Sequence, residues 1–341
     1  MSLNMKKRAA IVIRQLKKTT GAARNALEQV RLFHSLGYDV TVIGDQLDEN
    51  LIKKNHGTCI TIGQFPISGI WRRKYFAWRA DKICKNGQFD IVIGHGDHFQ
   101  QDILVLHNLV HLQSELVEKV AVSPSYDVGI MHTNIIKKSA YRLIIANSKI
   151  MKNDLINRFH VPSEKIEICF QSYNKEQFNT KNKSEIRHKF FEKLKAEHKF
   201  SPNENELIIG LITSGEFKTR GLDIALTVLA EIKKKYSFKF LVTGRDKNAQ
   251  AYKDLSEELG LKENVIFLET TPDVEKYYHA LDIFFLPARF ETFGRSILEA
   301  MACGLPVLTS NQTGASEILQ SKQLIKSPDD TAGWVSALEE L

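Results

Sequence analysis

The stretch Pro287-Ala288-Arg289-Phe290-Glu291-Thr292-Phe293-Gly294-Arg295-Ser296-Ile297-Leu298-Glu299-Ala300-Met301-Ala302-Cys303-Gly304-Leu305-Pro306-Val307 carries two glutamates, eight positions apart, around Phe293-Gly294. It reads as a strand end, a glycine turn, a helix starting near Phe293, and a sharp turn into another strand. Glu291 then lies in the loop above a sheet and Glu299 more than a turn into the helix. Between them the helix start leaves N–H donors unpaired and carries roughly half a positive charge from its aligned peptide dipoles. Gly294 allows a phosphate to approach backbone with no Cβ in the way. Either glutamate alone reads as a surface or loop charge. Together they flank an anion-binding helix end with hydroxyl acceptors, Glu299 for a ribose diol and Glu291 for a hexose hydroxyl. A ligand joining a diphosphate to two rings fits that pattern.

Outward from this stretch, strands are predicted at Leu207–Thr213, Phe238–Thr243, Val265–Leu268, Asp282–Leu286 and Pro306–Thr309. Helices lie between them, one begun by Thr271-Pro272-Asp273 with proline at the first helical position. Directly after the first of these strands comes Ser214-Gly215-Glu216-Phe217-Lys218-Thr219-Arg220-Gly221. It reads as a glycine turn presenting Lys218 and Arg220 to a pyrophosphate, with arginine's planar fork suited to paired phosphate oxygens. Cations at a helix N-terminus oppose the dipole, so their presence there calls for an anion.

The first half repeats the alternation. Ala9–Ile13 is a buried-strand pattern, Lys17–Gly21 a loop, Ala22–Leu36 a helix with Gly37 at its C-cap, and Val40–Ile43 the second strand. Further strands are Phe89–His95, Asp102–His107, Tyr141–Ser148 and Ile166–Cys169. Strand–loop–helix–strand order opens a doubly wound parallel sheet, whose C-terminal strand ends line the ligand crevice. His95, His98 and His107 fall on that edge, with Asp102 nearby. His95-Gly96-Asp97-His98 has the look of metal ligands, but no partner carboxylate pattern supports a metal. A histidine after a strand is, on its own, most often a structural hydrogen-bonder. The polar stretch from Asn174 to Glu206, with an amphipathic helix over Ser184–Lys199, reads as linker and domain entry. The predicted domains are residues 1–172 and 173–341, two Rossmann-like α/β sheets facing across a cleft.

The 341 residues suffice for two such domains, and an apolar content of 43% argues against disorder. Cys59, Cys84, Cys169 and Cys303 show no C-x-x-C spacing, so neither a disulfide framework nor a zinc site is expected. No apolar run reaches the ~20 residues of a membrane span, Met1–Asn4 reads as a short leader before a start at Met5, and a soluble cytoplasmic protein is expected. The net charge of +7 is uneven: the first 170 residues hold 24 Lys+Arg against 15 Asp+Glu, and the rest 23 against 25. A basic half suits anionic headgroups, an anionic acceptor or nucleic acid, but no nucleic-acid recognition module is evident. Trp71-Arg72-Arg73-Lys74-Tyr75-Phe76-Ala77-Trp78-Arg79 adds aromatics to the charge, as a membrane interface does; a solvated helix with its aromatics in the core has the same composition.

The Glu291–Glu299 stretch resembles the Glu-x7-Glu signature of family 4 retaining glycosyltransferases, which have the two-domain GT-B fold. Leu207–Leu319 as a whole resembles the lipopolysaccharide-core glucosyltransferases of that group. The resemblance implies that Arg220, with Lys218, neutralises the departing diphosphate in a loop beginning at Gly215. It implies that Thr292, Phe293, Gly294 and Arg295 hold the donor between the two glutamates. It matches His107 to the family's histidine beside the reacting sugar, with Asn108 replacing the usual glycine. It sets Thr19-Thr20-Gly21-Ala22 at the loop under the donor phosphates, keeping only Gly21. It also implies a last helix crossing back to the first domain, whereas the sequence stops at Leu341 inside a predicted helix.

The function so implied is retaining transfer of a sugar from a nucleotide diphosphate sugar, a UDP-sugar, to a glycan or lipid-linked acceptor in lipopolysaccharide or other surface-polysaccharide biosynthesis. His107, Glu291 and Arg220 are the expected catalytic residues. No Asp-x-Asp triplet occurs, so no metal cofactor is expected, and leaving-group charge falls to Arg220 and backbone amides. Peripheral contact with an anionic membrane at the inner face of the cell membrane is expected, and no nucleic-acid partner. The same residues also suit a GT-B nucleotide-sugar 2-epimerase or a non-catalytic sugar-nucleotide- or glycan-binding protein.

Overall fold

The computed structural model describes residues 6–16, 21–66, 68–138, 140–203, 205–321 and 324–341. The leader residues Met1–Asn4, Met5 and the loop residues Lys17–Thr20 lie outside them. The chain divides into two compact units, Met1–Gln171 and Ser172–Leu341.

In the first unit the strands are β1 (Arg8–Val12), β2 (Gln15–Leu16), β3 (Asp39–Gly44), β4 (Gln46–Leu47), β5 (Thr58–Thr61), β6 (Ile91–Gly94), β7 (Ile103–Val105), β8 (Leu143–Ala146) and β9 (Ile166–Ile168). The helices are α1 (Gly21–Ser35), α2 (Glu49–Lys54), α3 (Ile70–Asn86), α4 (Val110–Gln113), α5 (Asp127–Lys138) and α6 (Lys149–Phe159). Seven parallel strands lie in the order β5-β3-β1-β6-β7-β8-β9, and β2 pairs with β4 in a small separate sheet. Both faces of the large sheet are covered, which is why β1 is apolar and buried from Ala9 to Val12 rather than alternating. Its Ile11 joins the core under α1 with Ala23, Leu27 and Val30, while Ala10 and Val12 join the core under α3 with Phe76, Ala80 and Cys84. Period-two side-chain direction makes that division. The strand Thr58–Thr61, with a single aliphatic residue, carries no strand pattern in sequence; its register against β3 makes it one.

In the second unit the strands are β10 (Leu207–Gly215), β11 (Phe238–Arg245), β12 (Val265–Leu268), β13 (Ile283–Leu286), β14 (Val307–Ser310) and β15 (Ile325–Lys326). The helices are α7 (Lys183–His198), α8 (Phe217–Arg220), α9 (Leu222–Ile232), α10 (Ala249–Glu258), α11 (Glu275–Ala280), α12 (Arg295–Ala302) and α13 (Thr331–Glu339). The sheet order is β12-β11-β10-β13-β14-β15, all parallel. The stretch read as linker and domain entry is packed into this unit rather than forming a separate linker. Phe178, Phe190 and Leu194 are in its core, and Arg187 forks Asp282 at 2.8 and 3.0 Å. Asp282 in turn accepts the N–H of Ile208 at 2.8 Å, tying α7 to the starts of β10 and β13. The proline of Thr271-Pro272-Asp273 precedes its helix rather than opening it. Among the described residues no helix is long and apolar enough to cross a membrane.

The last helix, α13, belongs to the second unit. Trp334 is fully buried with its ring 5.4 Å from that of Phe285. Truncation leaves a large cavity beneath the sheet, so Trp334→Ala is expected to lower the stability of the second unit by about 3–5 kcal/mol, read by denaturant unfolding.

Candidate active site

Strand order reverses between β10 and β13, the kind of point at which the loops leaving the C-terminal strand ends of an open parallel sheet diverge. Two glycines bring the loops together at their base. Gly215, at φ +145°, runs so close to its neighbour strand that a Cβ would lie 2.1 Å from the Arg245 carbonyl oxygen. Gly221, at φ +70°, ends α8, and a Cβ there would lie 2.1 Å from the Pro287 carbonyl oxygen. Across that contact the N–H groups of Arg289 and Phe290 donate to the Thr219 carbonyl at 2.9 and 3.3 Å. Arg289 donates to the Lys218 carbonyl and forks the Asp223 carboxylate at 2.7 and 2.6 Å. Arg220 spans the same gap: it donates to the Phe290 carbonyl at 2.9 Å and pairs with Glu291 at 3.0 Å. Both members of that pair are mostly buried, at 18% and 19% exposure.

Glu291 is held through its backbone as well. Its N–H donates to Gln312 at 3.1 Å, its carbonyl accepts from Gly314 at 3.0 Å, and the Phe293 carbonyl accepts from Ala315 at 2.6 Å. Phe293 itself is fully buried in the core. Thr309 and Ser310, at the end of β14, donate their hydroxyls to the Leu286 and Ala288 carbonyls. Gly294, at φ 99°, stands at the N-cap of α12 with no side-chain cap, so the helix starts at Arg295, two residues later than predicted. Glu299 is 6% exposed and accepts a 2.9 Å hydrogen bond from the hydroxyl of Tyr278, which is fully buried.

The structure thus brings Arg220, Glu291, Gly215 and the Thr292–Arg295 turn to one corner of the second sheet, with Glu299 one helical turn further on. Thr292 and Arg295 are half-buried there. Lys218 is exposed on α8. Lys218 is the second residue of the one-turn α8 and Arg220 its last, and Arg220 immediately precedes Gly221, the N-cap of α9, so a cation does stand before a helix start. Tyr278, Arg289, Asp223, Thr309 and Ser310 were not foreseen. Arg289 and Asp223 are 66 residues apart and Tyr278 and Glu299 are 21 apart, so no local spacing signals either pair.

The first unit presents histidines instead. His107, two residues beyond β7, sits with its Nε2 2.7 Å from Nδ1 of His95, whose Nε2 lies 2.9 Å from the Gln29 side chain of α1. Burial, with His107 and His98 nearby, holds His95 neutral well below the ordinary histidine range. His98 is fully buried, its Nδ1 3.1 Å from Asp81, and Asp102 accepts the N–H of Val92, so both brace the fold. The segment after His107 is anchored by His132, whose Nε2 bonds the Asn108 carbonyl at 3.0 Å. Gly21 opens α1, and a Cβ there would meet nothing within 4 Å; its neighbours Thr19 and Thr20 are outside the described residues. Among the described residues no group of three or more His, Cys, Asp and Glu is placed to hold a metal ion.

His132 makes the first unit acid-sensitive. Burial lowers its pKa from 6.5 to about 4, so between those values the unfolded chain binds the extra proton and stability falls as pH falls. The contribution is fully present above pH ~6.5 and lost by pH ~4, about 3 kcal/mol in all. Unfolding curves across that window are expected to show this slope, and His132→Gln to flatten it.

Known proteins match both units. Residues 19–170 match the family described as Glycosyltransferase Family 4, and residues 193–341 match Glycosyl transferases group 1. An uncharacterized glycosyltransferase, MJ1607 of Methanocaldococcus jannaschii, is 25% identical over 199 residues, 56% of this chain and 49% of its own. The lipopolysaccharide glucosyltransferase WaaG of Escherichia coli is 33% identical over 106 residues, 30% of this chain and 28% of its own. The chain therefore spans about half or less of the length of these curated relatives. The crystal structure of WaaG, a glycosyltransferase involved in lipopolysaccharide biosynthesis, superposes with a TM-score of 0.78 at 18% identity, covering 97% of this chain and 90% of that one. Anabaena Alr3699/HepE, solved with UDP and glucose, superposes at 0.71 and 18% identity, covering 98% and 89%. These superpositions establish the GT-B fold, and with a family match on each of its two units the chain belongs to the family 4 glycosyltransferases.

Proposed function

We propose that this chain is a retaining glycosyltransferase that moves a sugar from a UDP-sugar to a hydroxyl of a glycan or lipid-linked acceptor in surface-polysaccharide assembly, without a metal ion. The observation that carries the reading is the corner of the second sheet where Arg220 and Glu291 pair beside the uncapped start of α12, with Glu299 held by Tyr278. The diphosphate rests on the backbone N–H groups at Gly294–Arg295, at the positive end of the helix, and its departing charge is met by Arg220. Anion arrival competes for the guanidinium with Glu291, freeing that carboxylate to accept a hexose hydroxyl. A carboxylate has about four lone-pair sites, so Glu299 retains capacity for a ribose diol while accepting from Tyr278. Lys218, on the exposed face of α8, adds charge to the same diphosphate. His107 is assigned to the reacting sugar through the family resemblance, with His95 fixing its ring. The absence of an Asp-x-Asp triplet supports metal-free handling of the leaving group, and the basic first half supports an anionic acceptor.

Calorimetry with UDP, GDP and ADP tests the donor. A clear preference for UDP is expected, weakened by about 1–3 kcal/mol in Glu299→Ala and by about 0.5–1.5 kcal/mol in Tyr278→Phe. Equal binding of the three nucleotides, or unchanged binding by Glu299→Ala, overturns the assignment. Incubation with UDP-glucose and a lipopolysaccharide-core acceptor is expected to give transfer that resists a chelator and is lost in Arg220→Ala. A new nucleotide sugar formed without acceptor indicates an epimerase instead.

A further inference from the structure

Helix α3 of the first unit has a solvent face unlike the rest of its surface. Trp71, Lys74, Trp78, Lys82 and Lys85 follow one another at i, i+3, i+7, i+11 and i+14, which aligns them along one side of the helix over about 21 Å. All five are exposed, Trp71 by 61% and Trp78 by 56%. The opposite side of the helix, with Phe76, Ala77, Ala80 and Cys84, fills the core. The aromatics of this segment therefore divide, and the two indoles stand in water. Lys74 lies 5.1 Å from the Trp71 ring centre, and Lys82 lies 5.9 Å from that of Trp78.

The charge on this face is of one sign. The single acidic residue of α3, Asp81, is turned to the loop before β7, where one carboxylate oxygen accepts the N–H groups of Phe99 and Gln100 at 3.0 and 2.9 Å and faces His98. Arg72 and Arg73 are drawn the other way, onto Asp45 and Asp127. What remains outward is two indoles and three ammonium groups. Beside them, a cavity of about 520 Å³ has Trp78, Lys82 and Lys85 on its α3 side and the acidic Asp81 and Asp102 also in its lining, so the one-signed charge belongs to the outer helix face and not to the cavity.

We propose that this face of α3 docks the first unit on an anionic lipid bilayer, with Trp71 and Trp78 entering the headgroup layer and Lys74, Lys82 and Lys85 pairing with lipid phosphates. Indoles prefer the water–bilayer boundary because one end of the ring system is apolar and the other donates a hydrogen bond, and lysines beside them draw on the negative surface potential. A straight convex helix face suits a planar surface better than it suits a folded protein, which offers a groove only where its own shape matches. The inference does not depend on the donor chemistry, since docking is measured with no nucleotide present.

The three tryptophans of the chain make the test direct. Trp334 is fully buried and serves as an internal reference, while Trp71 and Trp78 report the surface. With vesicles of phosphatidylglycerol and phosphatidylcholine, tryptophan emission is expected to shift to shorter wavelength and the protein to sediment with the lipid. With phosphatidylcholine alone neither is expected. Each lysine near the surface is worth about fivefold in partitioning, so K74E/K82E/K85E is expected to lower vesicle binding by roughly tenfold or more. W71S/W78S is expected to lose the shift, its remaining emission from Trp334 and its melting temperature showing that the fold is intact. The proposal is overturned by sedimentation with neither vesicle or equally with both, or by unchanged binding of the lysine variant. It is equally overturned if the emission shift arises from duplex DNA or from self-association in the absence of lipid.

Discussion

Everything at the candidate site depends on one bridge, the guanidinium of Arg220 between the Phe290 carbonyl and the Glu291 carboxylate. Reversal of strand order necessarily separates the chain leaving β10 from the chain leaving β13, and an open space with no cross-link would let either loop move. Arg220 closes that gap with a planar fork, and Arg289 closes it again with Asp223 and the Lys218 carbonyl. Because both members of the Arg220–Glu291 pair are mostly buried, neither tolerates loss of the other well. The pair is therefore a way of keeping two opposite charges in place until an anion competes for one of them. Glycine is what permits it: at Gly221 a side chain would push Pro287 away and open the base of the bridge.

The two units share a topology and differ in what they place at its reversal point. In the second, acids and arginines face the gap. In the first, where strand order reverses between β1 and β6, His95 follows β6 and stacks on His107, which lies beyond the next strand β7, with ring centres 4.9 Å apart, and burial keeps His95 uncharged. With His95 uncharged, the stacked rings offer donor and acceptor nitrogens, which is a different chemical surface from the ionic corner of the second unit. His132 fixes the carbonyl that follows His107, so the position of that ring is set by a buried hydrogen bond from a helix distant in sequence. Three lysines of this unit line the outer side of α3, while Arg72 and Arg73 of the same helix pair with Asp45 and Asp127.

The sequence alone determined the alternation of strands and helices, the doubly wound class of both units, and the placing of Glu291, Gly294 and Glu299 on loop, turn and helix. Those follow from local periodicity and from glycine, which act over a few residues. Arg220 too was legible, as a cation in a glycine-bounded loop after a strand. Only the tertiary structure decided which groups each of these meets. Tyr278 reaches Glu299 from another helix, Arg289 finds Asp223 across 66 residues, and the Asn174–Glu206 stretch, too polar to read as core, buries Phe190 and Leu194. The tryptophans of α3 show the same limit, since one segment holds both core and surface aromatics and only packing tells Phe76 from Trp78. Hydrogen bonds and ion pairs between residues far apart in the chain leave no periodic trace in it, because their geometry exists only once the sheets have brought the strand ends together.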